Sequence, residues 1–362
     1  MRNKNVLVAM SGGIDSSIAA ILLQEEGYII KGLTFQTWGD KSVTNMDDEK
    51  FDKNMQFIFE ARELAKKLGF EHHVMDLRNI FKESVINYFI DEYISGRTPN
   101  PCVYCNAHIK WGVVMKKTDE LGCDFMASGH YTRIRENNGR FILSKGKDST
   151  KDQSYFLWNI SQEKLKRIIF PLGNYDKTEI RKMAKERGFK KLSEKSESQE
   201  ICFIQDEDYR SFLKKNVPDI DNKIVEGDFI STNGKYLGKH KGYPYYTIGQ
   251  RKGLVIAVGH PLYVVKIDAE NNIVTLGNKE DLNTSEMTVR DINYVKYSSI
   301  PENIELSVKI RYRNIATSCE ISEEKPGNIL KIKFHSPVSG VTPGQSAVFY
   351  EKDDIVAGGI IC

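Results

Sequence analysis

The sequence predicts an α/β protein: a parallel-sheet domain, then a small central β-rich domain and a C-terminal antiparallel β-barrel. Three observations carry this reading. Up to residue 206, short apolar runs alternate with amphipathic helical patterns, which implies a parallel sheet with helices on both faces. From 207 the helical pattern gives way to short strands, many glycines and a basic, aromatic interior. From 283 strands recur between turn residues, the spacing of a small barrel. The domains are accordingly 1–206, 207–282 and 283–362.

In chain order, apolar strands are expected at 6–10, 29–35, 71–75 and 124–127, and helices at 15–26, 51–68, 80–95, 107–121 and 177–187. The first helix carries Ile18, Ile21 and Leu22 on one face. The stretch 39–53 is polar and reads as a loop. Barrel strands are expected at 305–312, 316–322, 329–334, 346–350 and 355–361. The chain shows neither internal repeats nor low-complexity tracts. Its 362 residues are 40% hydrophobic and 28% charged, as in a soluble globular protein, and the net charge of +3 neither demands nor excludes a nucleic-acid partner. The apolar runs are too short to span a bilayer. The chain enters its first strand without a signal or transit peptide, so a cytoplasmic location is expected. Six cysteines in a chain this long are not a secreted disulfide framework.

The first strand runs straight into Ser11, Gly12, Gly13, Ile14, Asp15, Ser16 and Ser17. Glycines let a phosphate approach the backbone, free N–H groups and the helix dipole favour the anion, and the serines add hydroxyl donors. Asp15 has two readings, placement of phosphate or Mg²⁺ and helix capping. A glycine turn between strand and helix is the plainer alternative for the whole loop. It is neither a Walker A loop, lacking Gly-Lys-Ser/Thr, nor a GxGxxG fingerprint. It resembles the SGGxDS loop of the PP-loop ATP pyrophosphatases (adenine nucleotide α-hydrolase-like domains), which adenylate an oxygen and release pyrophosphate. In a parallel sheet, ligands collect beyond the carboxyl ends of the strands. The turns after 29–35 and 124–127, with Phe35 and with Ser128, Gly129 and His130, are expected to meet this loop.

The second feature is the proline-rich run 97–106, which contains Asn100, Pro101, Cys102 and Cys105; Cys202 follows far along the chain. A single CxxC is open to several readings. Zinc usually needs four ligands, and only one pair is present. A thioredoxin-type pair normally opens a helix after a strand. A buried structural pair is the plain alternative. Beside an ATP loop, a nucleophilic pair gains weight, because an adenylated oxygen needs something to displace AMP. One thiol could then hold a persulfide and the other resolve it as a disulfide. Cys123 reads as a small buried apolar residue, and Cys319 and Cys362 carry no assignment.

Over essentially its full length the chain resembles the tRNA 2-thiouridylase family. The matching segments are SGGIDSS at 11–17, GLTFQTW at 32–38, GRTPNPCVYCNAHIKW at 96–111, SGHY at 128–131, KDQSYFLW at 151–158, SQEICF at 198–203, YTIGQRKGL at 246–254, IRYR at 310–313 and TPGQSAVFY at 342–350. The resemblance implies ATP-dependent thiolation of the wobble uridine in tRNAs for Lys, Glu and Gln. It implies that Ala9, Met10, Ser11, Gly12, Gly13, Ile14, Asp15, Ser16, Phe35 and Gly129 surround ATP with Mg²⁺. It also implies that Cys105 is the nucleophile, that Cys202 accepts the persulfide, and that Asn100, Pro101 and Cys102 meet the target base. His130, Lys151, Asp152, Gln153, Arg311, Tyr312 and Gln345 fall on tRNA-contacting positions. Implied partners are the tRNA anticodon stem-loop and a cysteine desulfurase or sulfur-relay protein, with no membrane.

From the residues themselves, Lys239, His240, Lys241, Arg251 and Lys252, interleaved with Tyr243, Tyr245 and Tyr246, read either as a phosphate-tracking, base-stacking surface or as a solvated face over core tyrosines. Arg311, Tyr312 and Arg313, expected on a barrel strand, have the same two readings. His130 reads as a structural loop histidine unless the pocket recruits it. Cys102 stands where many relatives carry aspartate, which opens an alternative: thiolation of a different RNA position with an iron–sulfur cluster on Cys102, Cys105 and Cys202. The stretch after GLTFQTW lacks a cysteine often present in relatives, with no expected effect on the chemistry. Rival classes are a small-metabolite amidotransferase, which would need an ammonia source, a non-catalytic RNA-binding module, and a redox or metal-storage protein.

Overall fold

A computed structural model describes residues 4–39, 55–194, 201–204, 208–220, 224–256, 258–325 and 328–362. Most of the expected loop at 39–53, the start of the helix at 51–68 and residues 198–200 of the SQEICF motif lie outside the described residues. The first strands are β1 (Asn5–Ala9), β2 (Ile29–Gln36), β3 (Glu71–Asp76) and β4 (Phe125–Ser128), followed by the hairpin strands β5 (Thr132–Asn137) and β6 (Arg140–Lys145) and the short β7 (Ile168–Ile169). Strands β3, β2, β1, β4 and β7 form, in that order, a five-stranded parallel sheet. Val6, Leu7 and Val8 of its central strand are fully buried, because helices cover both faces. The helices α1 (Ile14–Glu25) and α2 (Gln56–Leu68) follow β1 and β2 as their apolar spacing requires; Gly69 ends α2 in a left-handed conformation.

Two helices depart from the expected periodicity. The segment expected as one helix over 80–95 contains a π-helical stretch, Lys82–Ile86, and that over 107–121 begins as a π-helix, Asn106–Val113. An i→i+5 bonding pattern has no signature in the spacing of apolar residues.

The central unit is a four-stranded sheet of β8 (Gly227–Ser231), β9 (Tyr236–His240), β10 (Tyr263–Asp268) and β11 (Ile273–Gly277), in the order β10, β11, β8, β9. Its core takes in Phe89 and Tyr93 from the first domain. The last strands are β12 (Asn283–Tyr294), β13 (Leu306–Lys309), β14 (Thr317–Lys325), β15 (Ile329–Ser339), β16 (Ser346–Glu351) and β17 (Asp354–Ile361). Their order is β12, β15, β14, β13, β16, β17, and the pairing of β12 with β17 closes the barrel. The β5–β6 hairpin of the first domain extends this sheet beyond β17, which the sequence pattern did not indicate. Arg140 secures it by donating to the carbonyls of Val295, Tyr294 and Tyr297 at 2.9, 2.8 and 2.6 Å. Gly358 completes the contact: a Cβ there would lie 2.5 Å from the Trp158 ring, so only glycine lets the indole rest on the strand.

The hairpin and the barrel also share an ion network. Asp354 accepts from Arg135 at 2.7 and 2.6 Å, from Lys296 at 2.7 Å and from Ser144 at 2.7 Å, and Lys296 also meets Glu351 at 2.6 Å. Burial alone would raise the Asp354 carboxyl, but Arg135, Lys296 and Ser144 outweigh it and hold it well below the usual range. Burial would lower the Lys296 ammonium, and Asp354 and Glu351 hold it well above its usual value instead. The Asp354 contribution is therefore complete above about pH 4 and is lost as pH falls towards its depressed folded value. The Lys296 contribution is complete below about pH 10 and is lost as pH rises beyond it. Asp354→Asn should lower stability at neutral pH by about 1 kcal/mol, since Arg135 loses its carboxylate to solvent while Lys296 keeps Glu351. Thermal melts across the acid range check this: the gap between parent and variant should narrow from about pH 5 to about pH 2.

Candidate functional site

β1 delivers the chain to Gly12, whose φ of +67° reverses it, and Gly13 caps α1 without a side-chain bond. The backbone N–H groups of the first turn therefore keep their anion-binding capacity. The hydroxyls close the loop on itself: the Ser11 amide donates to Ser16 Oγ at 3.1 Å, and Ser16 and Ser17 donate to the Gly13 carbonyl at 3.2 and 2.8 Å. Ser16 and Ser17 are buried, and only Ser11 is exposed. Ser17, expected as a phosphate donor, instead braces the turn.

Ala9 is paired with Leu33 of β2 on one side and Ser128 of β4 on the other. The sheet order reverses between β1 and β4, which makes this a topological switch point, where ligands of such sheets bind. Gly129 lies against the first turn of α1; a Cβ on it would come 2.7 Å from the Asp15 carbonyl carbon and 2.8 Å from the Ser16 nitrogen.

Asp15 is neither a helix cap nor an available Mg²⁺ ligand. Its carboxylate accepts from Lys177 Nζ at 2.7 and 2.8 Å and from the Tyr131 hydroxyl at 2.6 Å. Lys177 is buried at the start of the helix Lys177–Glu186. Nothing in the sequence marked it, because the two residues meet only when that helix packs on α1. No group of three or more His, Cys, Asp or Glu able to hold a metal occurs among the described residues. Among the described residues, then, neither a carboxylate set for Mg²⁺ nor a three-cysteine group able to hold a metal is brought together.

The cysteine run is shaped by tertiary contacts. The Thr98 amide donates to the Pro343 carbonyl at 2.8 Å, and Gln345 Nε2 donates to the carbonyls of Thr98 and Pro99 at 3.0 and 2.9 Å. A barrel turn thus grips the loop on which Asn100 and Pro101 open a short helix, Pro101–Cys105, with Asn100 Oδ1 accepting from the Val103 amide at 3.4 Å. Cys102 and Cys105, three residues apart, share a face of this helix. Cys202 arrives from far along the chain, anchored by its neighbour Phe203, which sets its ring 5.6, 5.3 and 5.2 Å from Phe81, Phe89 and Phe212. The residue is exposed, yet enough protein crowds its thiol for desolvation, reinforced by Cys105 and Cys102, to push it up to about 12. Burial pushes Cys105 up to about 11 and raises Cys102 too.

Several of the residues expected to contact tRNA are engaged within the fold, and Tyr312 lies close enough to Asp152 and Lys151 to feel their charges. His130 is buried against Trp111 and Phe170 and bonded to Ser128 Oγ at 2.6 Å; burial holds it well below its usual pKa, as a neutral packed ring. Asp152 is buried and accepts from the amides of Gly146 and Ser154. Gln153 accepts from the Tyr131 amide at 3.0 Å, and Lys151 is half-buried beside it. Arg311 and Tyr312 lie in the turn after β13, not on a strand. Arg311 donates to Ile248 O at 3.0 Å, and Tyr312 packs 4.5 Å from Phe156. In the central unit Tyr243, Tyr245 and Tyr246 are buried and His240 is core, so of the two readings of that segment the tyrosines follow the core one. Lys241, Arg251 and Lys252 are exposed above them.

Residues 4–206 match the tRNA methyl transferase HUP domain, 210–278 the tRNA methyl transferase PRC-barrel domain and 284–361 the aminomethyltransferase beta-barrel domain. The tRNA-specific 2-thiouridylase MnmA of Cytophaga hutchinsonii is 48% identical over 357 residues, 98% of this chain and 96% of that protein. This chain belongs to the tRNA-specific 2-thiouridylase MnmA family. The MnmA of Amoebophilus asiaticus is 48% identical over 362 residues, all of this chain and 96% of its own. Membership makes the protein a tRNA sulfurtransferase with the three-part fold described above. No described helix is long and apolar enough to cross a membrane.

Proposed function

We propose that this MnmA-family enzyme converts the wobble uridine of tRNAs for Lys, Glu and Gln to 2-thiouridine, using ATP to activate O2 and a cysteine persulfide to supply sulfur. One geometric observation carries the reading beyond kinship: Ala9 at the end of β1, Phe35, Cys105, Phe203 and Tyr312 all rim the same hydrophobic core. The strand that feeds the nucleotide cradle, Cys105 and the neighbour of Cys202 standing on one core support a single reaction centre. In that centre the backbone N–H groups of the first turn of α1 hold the phosphates of ATP, and Phe35 and Gly129 flank the nucleotide.

The uridine is flipped out of its loop to reach this centre, with Asn100, Pro101 and Cys102 beside it. O2 attacks the α-phosphate and pyrophosphate leaves. The terminal sulfur of a Cys202 persulfide attacks C2 and AMP departs with the old oxygen. The Cys105 thiolate attacks Cys202 Sγ, leaves the outer sulfur on the base and closes a Cys105–Cys202 disulfide. A cysteine desulfurase or sulfur-relay protein loads Cys202. The methyl-transferase wording of the matched domains would require a methyl donor; paired thiols favour sulfur. Purified enzyme with anticodon stem-loop RNA, ATP, Mg²⁺, cysteine and a cysteine desulfurase should yield 2-thiouridine, AMP and pyrophosphate, read by nucleoside mass spectrometry. Unmodified RNA with no AMP formed would reject the proposal.

A further inference from the structure

Raised thiol pKa values are poor preparation for sulfur transfer, because the anion is the reacting form. Burial is the leading cause at Cys102, Cys105 and Cys202, and the cation that opposes it at each of them is Lys110. The titratable groups facing one another here are the three thiols, Lys110 and His130, which burial keeps neutral and which also feels the Lys110 charge. Lys110 is half-buried and makes no ion pair or side-chain hydrogen bond among the described residues, so no carboxylate there competes for it. Its placement follows from the backbone. The π-helix Asn106–Val113 starts directly after Cys105, and Val114 donates to the carbonyl five residues back, at Ile109. With five-residue bonding, residue 110 returns to the face of residue 105, whereas in an α-helix it would lie about 140° round the axis.

We propose that Lys110 is the positioning cation of the thiol centre, offsetting part of the cost of burial and so favouring the anionic form of the reacting sulfur of the Cys105–Cys202 pair. The role rests on the thiolation reading above, but it is testable without tRNA or ATP. Iodoacetamide alkylation of the full-length protein, followed over pH and resolved by peptide mass spectrometry, reads Cys105 and Cys202 separately. Lys110→Met should slow both thiols about tenfold near neutral pH and move their profiles upward by about one unit. Lys110→Arg should keep both rates within about twofold of the parent. Lys110→Gln serves as the neutral variant should the methionine variant fail to fold. Parent-like rates in the neutral variants overturn the proposal. So does an arginine variant as slow as the neutral ones, which would mark a packing role. Lysine-dependent thiols in a protein that leaves RNA unthiolated would overturn the proposed function while sustaining this inference.

Discussion

Cys202→Ser and Cys105→Ser are each expected to abolish 2-thiouridine formation while pyrophosphate release in the presence of tRNA continues. The separation follows from the architecture. In the proposed reaction ATP is handled by the backbone of the loop between β1 and α1, to which neither thiol belongs. In the same scheme sulfur passes between two thiols on different segments, and removal of either stops the exchange. The variants should also fail differently. Cys202→Ser accepts no sulfur from the donor, whereas Cys105→Ser should accumulate the Cys202 persulfide and form no Cys105–Cys202 disulfide. Mass spectrometry of tRNA nucleosides and of the cysteine peptides, beside a pyrophosphate assay, reads all three quantities. Normal thiolation by either variant would sink the two-cysteine exchange.

Lys177→Met should weaken ATP binding at least about tenfold and lower stability by about 2 kcal/mol. Lys177 is a buried cation held 2.7 Å from the Asp15 carboxylate in the first turn of α1. Removing it leaves that carboxylate without its counter-charge beside an anion site, so incoming phosphates meet net repulsion. The double variant Lys177→Met/Asp15→Asn tests that cause. It removes the stranded charge, so both the melting temperature and the ATP affinity should recover most of their loss. Thermal melts and ATP titration calorimetry check both parts. An ATP affinity unchanged in the single variant would show that the pair is structural only.

The parallel sheet was legible because buried strands advertise themselves as apolar runs: β1 to β4 fall within a residue or so of their expected limits. The phosphate loop was legible because its chemistry is local; two glycines, a capping position and hydroxyls lie within seven consecutive residues. The barrel strands were legible by spacing, although the long β12 was not singled out. The β5–β6 hairpin could not be assigned to the barrel sheet, because what it pairs with is decided by strands two hundred residues away. Tyr243, Tyr245 and Tyr246 among lysines read equally as stacking platform or core, since alternation alone does not say which face a neighbouring element covers.

By itself, then, the sequence determined the fold class, the phosphate loop and the cysteines on which the proposed chemistry rests, because each is written in residues close together in the chain. Only the tertiary structure decided that Lys177 neutralises Asp15, that Gln345 grips the loop before Cys102, that Phe203 seats Cys202, and that the helix carrying Lys110 after Cys105 is π-wound. The physical reason is common to all four. A charge, a carbonyl or a ring is satisfied by whatever folding sets beside it, and distance along the chain carries no trace of that neighbour.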